Sequence, residues 1–195
     1  MPGDYDGDGR ADVAVWRGSD GRFTYWKSSN NQEEVVTYWG GIAYGDFPAP
    51  GDYDGDGKTD IAIYRTSDGN WWIIRSSNGS SYFLNWGIAT DIPVPADYDG
   101  DGKTDLAVVR PSEGVWYTLE SGNNNAYRGY SGPTLGTNDQ PVPADYDGDG
   151  RIDFAVWFPA TGEWSIGDGK TLATRIEYFG RDSGVPVASM NVFRP

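Results

Sequence analysis

The chain has neither cysteine nor histidine among its 195 residues. Without cysteine there are no disulfides, no thiolate nucleophile and no Cys-based zinc site. Without histidine the commonest general base and the commonest transition-metal ligand are both missing. No apolar run approaches the ~20 residues that a membrane-spanning helix requires. Basic residues are scarce: 15 Lys and Arg stand against 29 Asp and Glu, a net charge of −14, which is opposite to a nucleic-acid footprint. No apolar leader precedes the first motif, because Met1-Pro2-Gly3 runs straight into it; this reads as a mature protein or a fragment of a larger one. Sustained helical periodicity is absent as well.

Aromatics (15%, with 9 Trp and 13 Tyr), 28 Gly and 12 Pro are what the chain has in plenty. That mixture predicts short strands joined by tight turns. The length suits one well-buried domain or one ring of small repeats.

The string Asp-Tyr-Asp-Gly-Asp-Gly begins at Asp4, Asp52, Asp97 and Asp145, at spacings of 48, 45 and 48 residues, the period of a propeller blade. An alternating run follows each copy: Val13 to Trp16, Ile61 to Tyr64, Leu106 to Val109, Phe154 to Trp157. A Gly-containing turn comes next, then a second run such as Phe23 to Trp26 or Trp71 to Ile74, and a third that ends in an aromatic-Gly pair. Repeat three has only Leu135-Gly136 there. Just before the loops, Phe47 to Pro50, Ile92 to Pro95 and Gln140 to Pro143 predict a short fourth strand; proline cannot donate to a ladder, so this strand should sit at an edge. The fold expected is all-β, a β-propeller of four-stranded antiparallel blades at about 4–51, 52–96, 97–144 and 145–188 in one repeat domain. The first repeat lacks most of its leading strand, whereas Val185 to Ala188 supplies one at the other end. Residues 185–195 are therefore expected to hold a closing strand and tail, completing a four-bladed ring. The alternative is half of an eight-bladed dimeric ring.

Each loop reads Asp-x-Asp-x-Asp-Gly-x-x-Asp. Carboxylates at alternate positions of a tight loop converge on one centre, and hard oxygen donors suit calcium better than magnesium. The expected ligands are Asp4, Asp6, Asp8 and Asp12; Asp52, Asp54, Asp56 and Asp60; Asp97, Asp99, Asp101 and Asp105; and Asp145, Asp147, Asp149 and Asp153. Arg10, Lys58, Lys103 and Arg151 would add a backbone carbonyl each and leave their side chains free to reach solvent. An EF-hand is excluded, because its twelfth-position Glu is replaced by Val15, Ile63, Val108 and Val156 inside a strand. The four loops hold 16 of the 29 acids, so four Ca2+ would bring −14 to −6. Crowded carboxylates repel one another, which couples ion binding to folding.

The loop, the Pro-rich strand before it and the aromatic-Gly element (Trp39-Gly40, Trp86-Gly87, Phe179-Gly180) together resemble the FG-GAP/VCBS repeats of integrin α-subunit propellers and secreted bacterial proteins. The resemblance covers nearly the whole chain and implies a propeller with calcium between the first two strands of each blade. Two departures are repeats shorter than the family's usual blade and four copies instead of about seven. The family includes adhesion modules, lectins and appendages of enzymes, so membership does not select a function.

Catalysis is not expected: only 13 acids lie outside the loops, most of them in turns, and no nucleophile–base pair is readable. Sugars stack on exposed aromatic faces, and Trp26, Trp71, Trp72, Trp116 and Trp164, in or near the second runs, are the ligand-facing candidates. Trp16, Trp39, Trp86 and Trp157 recur in register and read as core. The expectation is an extracellular or cell-surface, bacterial secreted, calcium-stabilised recognition or scaffold module. Glycans or an extracellular protein are its partners, with self-association as a further mode.

Overall fold

The computed structural model describes residues 3–30, 33–180 and 184–186. Among these, strands are the only extended regular elements, and two 3-10 turns, Ile42–Tyr44 and Ser121–Asn123, are the only helical pieces. The chain divides into two compact units, Met1–Ala89 and Thr90–Pro195.

The first unit holds two antiparallel sheets. Strands β1 (Val13–Arg17), β2 (Arg22–Trp26) and β3 (Glu34–Tyr38) form a three-stranded meander, with Val15 opposite Thr24 and Thr24 opposite Val36. Strands β4 (Asp46–Pro48), β5 (Ile61–Arg65), β6 (Asn70–Ile74) and β7 (Ser81–Asn85) form a four-stranded sheet in that order. The second unit repeats the plan twice. Strands β8 (Ile92–Pro93), β9 (Leu106–Arg110), β10 (Val115–Glu120) and β11 (Ala126–Ser131) make one sheet. Strands β12 (Gln140–Pro141), β13 (Phe154–Phe158), β14 (Glu163–Gly167) and β15 (Thr174–Tyr178) make the other. This is the expected all-β class: four antiparallel β-propeller blades, one for each repeat.

Two details refine the sequence reading. Each Pro-rich strand joins the sheet that follows it, so the blade's strands run from before the loop, as in 46–85, rather than from loop to loop. Its prolines alternate with residues whose N–H groups the neighbour needs: Ala49, Val94 and Val142 donate to Ala62, Ala107 and Ala155 at 2.8–2.9 Å. The closing strand expected at the C-terminus falls largely on residues 187–195, outside the described residues.

Strand alternation sets the core. Along β6, Trp71 and Ile73 are buried while Asn70, Trp72 and Ile74 are half-buried on the other face. In the first unit Trp71 packs on Tyr64 and Tyr53, at centroid separations of 5.1 and 6.5 Å. In the second, Phe154 lies between the rings of Tyr98 and Tyr130, stacked at 5.0 and 4.7 Å, and Trp116 meets it edge-on at 5.6 Å.

Candidate metal centres

In the three later repeats the Asp-rich loop joins the edge strand to the next strand of its sheet, and in all four the two ends of the loop are pinned by a bridge. Asp12, Asp60, Asp105 and Asp153 pair with Gly3, Gly51, Ala96 and Ala144, with N–H···O distances of 2.7–2.9 Å. Inside the loop the first Asp organises the backbone. Asp52 Oδ1 accepts the Gly55 N–H at 2.7 Å and Oδ2 accepts that of Gly57 at 2.8 Å, with the same pattern at Asp4, Asp97 and Asp145. Both glycines sit at positive φ, 79° and 84°, where a Cβ is strained; this turns the chain tightly enough to aim alternate carboxylates inward.

The result is four clusters in which one carboxylate oxygen from each of three residues lies within 4.8 Å of the others. They are Asp4, Asp6 and Asp8; Asp52, Asp54 and Asp60; Asp97, Asp99 and Asp101; and Asp145, Asp147 and Asp149. Oxygens on opposite sides of one Ca2+, each at about 2.3–2.6 Å, are up to about 5 Å apart. The donor set and its spacing therefore fit a hard divalent cation. Asp56 faces the same loop, where its Oδ1 accepts the Lys58 N–H and the Ser76 hydroxyl, both at 2.9 Å.

The ninth-position Asp does something the spacing did not reveal. Asp12, Asp60, Asp105 and Asp153 are 0–2% exposed, and each uses both oxygens on backbone N–H groups. Asp60 accepts from Tyr53 at 2.9 Å and from Ser76 at 2.7 Å, tying the loop to the turn between the second and third strands of its sheet. Asp12 holds Tyr5 and Ser28, Asp105 holds Tyr98 and Ser121, and Asp153 holds Tyr146 and Gly169 in the same way. Burial raises the pKa of Asp60 and pushes Asp105 up to about 6, while burial also raises Asp97. Exposed Asp145 is lowered by the N–H groups of Gly148 and Gly150. A cation in the loop would favour the charged form of each.

The cationic seventh residues differ from expectation in two repeats. Lys58 lies against the first loop, so that a Cβ on Gly7 would come within 2.5 Å of its Cε, and Arg151 lies against Gly100. Neither side chain stands free, because the loops of successive blades touch within each unit: Thr59 N–H donates to Asp4 O at 2.6 Å and Ile152 N–H to Asp97 O at 3.0 Å.

Of the tryptophans expected to face a ligand, Trp71 and Trp116 are corrected: both are 0% exposed, on the inward register of their strands. Trp72 is half-buried and stacks on Phe83 at 4.9 Å, and Trp164 is half-buried with its Nε1–H on Phe179 O at 2.8 Å. Trp26 is 46% exposed and keeps an open face. Trp157 is buried as expected, whereas Trp16, Trp39 and Trp86 are half-buried.

Sequence reasoning also missed a buried ion pair. Arg65 grips Asp46 through Nε and Nη2 at 2.7 and 3.0 Å, and Arg110 grips Asp91 at 2.8 and 3.0 Å, with both carboxylates fully buried. The shared 19-residue spacing was the available signal. Repeat four has Phe158 in place of the arginine.

A β-propeller blade carrying an acidic loop between its first two strands defines the class. The chain belongs to the FG-GAP-like repeat family, which it matches over residues 4–63 and 97–156, more than half its length; residues 44–84 also match the FG-GAP repeat. Curated proteins show no significant match. Among solved structures the chain is similar to a lectin from Agrocybe aegerita described as recognising non-reducing terminal N-acetylglucosamine. The TM-score is 0.59 at 15% identity, and the match covers 90% of this chain and 50% of that one. This chain thus spans about half the length of the lectin, and at that identity the likeness concerns the fold.

Proposed function

We propose that the chain is an extracellular recognition and scaffold module, stabilised by calcium in its four loops and binding carbohydrate. The observation that carries this is the gathering of three carboxylate oxygens within 4.8 Å in every repeat. Calcium, when bound, supplies the positive charge that cancels their repulsion and makes the loops rigid. The chain's own part is to pre-form the cage: the first Asp orders the loop backbone, the ninth anchors it to the sheet, and the third, with the fifth in three repeats and the ninth in the second, presents the remaining oxygens. Rigid loops then hold the polar turns beside them, such as Ser28 to Asn30 and Ser121 to Asn123, as a recognition surface. The sugar-binding neighbour of the same fold supports the ligand class, and the reading assigns no catalytic role. Millimolar external calcium fits loops of ordinary extracellular affinity, which supports the location.

Calorimetric titration with CaCl2 is expected to saturate at four ions per chain, followed by glycan-array binding in calcium that chelator abolishes. Absence of calcium uptake would refute the metal; absence of any glycan signal in calcium would refute the ligand class.

A second reading, self-assembly or adhesion to a protein, is favoured by the exposed apolar side chains of β1. Val13 and Val15 are 68% and 62% exposed, whereas Ile63 and Val108, which hold the position of Val15 in later repeats, are buried. Light scattering in calcium distinguishes the readings, since a dimer mass supports association through those side chains. An appendage role in a polysaccharide-active enzyme is the third possibility.

A further inference from the structure

The two units are built on one plan, yet the cleft between their blades differs. In the second unit it is filled. Phe154 is sandwiched between Tyr98 and Tyr130, the Tyr130 hydroxyl meets Thr174 Oγ1 at 2.9 Å, and Arg128 spans from Glu120 at 3.2 Å to the Gly169 carbonyl at 2.5 Å. In the first unit the register places Ile61 where Phe154 stands, and Val35 and Thr37 where Arg128 and Tyr130 stand. The plug is gone, and a cleft of about 470 Å³ opens between the first and second blades. That lies within the ~300–1,000 Å³ of small-molecule sites.

The lining reverses sign as well. Lys27 and Arg75 occupy the positions of Glu120 and Asp168 in the second unit, and Lys58 adds a third cationic side chain. Among the described residues neither Lys58 nor Arg75 has a salt bridge; Arg75 lies 4.0 Å over the Tyr82 ring and donates to Ser80 Oγ at 3.1 Å. Asp6 is the one carboxylate on the wall, and its Oδ2 is already engaged by the N–H and hydroxyl of Ser29 at 3.1 and 2.6 Å. Tyr25, stacked on buried Tyr5 at 4.8 Å, gives a half-buried aromatic wall of the kind sugar rings pack against.

What such a site holds is indicated by the chain itself. The exposed Glu33 carboxylate is gripped by Lys27 Nζ and by the Asn30 side-chain N–H, both at 3.0 Å. Lys27 and Asn30 also line the cleft. An exposed pair of this kind contributes little to stability and exchanges readily for another carboxylate.

We infer that the cleft between the first and second blades binds a saccharide bearing a carboxylate, a hexuronate, with Lys27, Lys58 and Arg75 around the acid and Tyr25 against the ring. This rests on the carbohydrate-recognition reading and names its ligand class and place.

Calorimetry on the full chain in calcium tests it, with sodium glucuronate and galacturonate as probes and glucose, galactose, acetate and phosphate as controls. One uronate is expected to bind at least about tenfold tighter than its neutral sugar and than acetate or phosphate. Arg75→Ala and Lys27→Met should each weaken it by about tenfold or more at an unchanged melting temperature. Glu33→Gln should strengthen it severalfold by removing the internal competitor. Equal affinity for uronate and neutral sugar, phosphate binding as tight as uronate, or indifference to Arg75→Ala would each overturn the assignment. Neutral-glycan binding that survives both cleft substitutions would sink this inference and leave the recognition module standing. Silence toward uronates and every arrayed glycan would sink both.

Discussion

Aspartates of one loop, identical in the sequence, divide their labour according to burial. Asp8 is exposed and belongs to the candidate cage, whereas Asp12 is buried with both oxygens on backbone N–H groups. Asp12→Ala leaves the buried Tyr5 N–H and the part-buried Ser28 N–H without this partner, at about 1–3 kcal/mol each. It is expected to destabilise the protein by about 2–4 kcal/mol even in chelator, read as a urea midpoint shift. Asp8→Ala should leave the chelated midpoint unchanged and lower only calcium uptake. Asp105 adds a pH signature. Burial pushes it up to about 6 from 3.8, so the native state binds the extra proton between those values. In chelator, its contribution makes stability fall as pH rises through about 4 to 6, by at most about 3 kcal/mol. Melting curves in chelator across that window should show the fall, and Asp105→Asn should flatten it. Unchanged slopes in the variant would place the effect elsewhere.

In the three four-stranded sheets the shortest element is the edge strand before the loop. Two or three residues make few ladder bonds, so β4 and β8 depend on side chains to stay docked, and the Asp46–Arg65 and Asp91–Arg110 pairs fasten them to the next strand. Removing an arginine strands a fully buried carboxylate. Arg110→Ala is therefore expected to cost about 3 kcal/mol in chemical denaturation. Arg17, whose partner Asp20 is exposed in a turn, should be replaceable by Ala with no shift of the midpoint. A loss at Arg17 equal to that at Arg110 would show that burial is not what separates them. Strand positions themselves were readable from the runs, because β-branched and aromatic residues alternate between Gly turns. The ion pairs were not, since their partners stand in different runs and only the backbone of the sheet brings them together.

At the scale of the molecule, the proposed calcium sites would join stability and ion binding in one equilibrium. If free calcium exceeds its dissociation constant about tenfold, each site adds about 1.4 kcal/mol, and four add about 5–6 kcal/mol. That is comparable with the ~5–15 kcal/mol margin of a typical domain. Chelation is expected to lower the melting temperature by tens of degrees in a calorimetric scan, and calcium to restore it. A melt indifferent to chelator would refute the structural role of the ion.

The chain's composition and period determined by themselves the fold class, the four loops and the carboxylates that line them. Those features depend on local rules: alternate residues face opposite ways along a strand, glycine admits the tight loop, and one motif recurs at blade spacing. Only the tertiary structure decided that Trp71 and Trp116 are core, that the ninth Asp is an anchor, and that one inter-blade cleft is open while its counterpart is plugged. The physical reason is that burial and cleft shape arise from residues far apart in the chain. Ile61 and Phe154 hold the same repeat position, yet their size, together with that of Thr37 or Tyr130 from another blade, determines whether a space remains between the sheets.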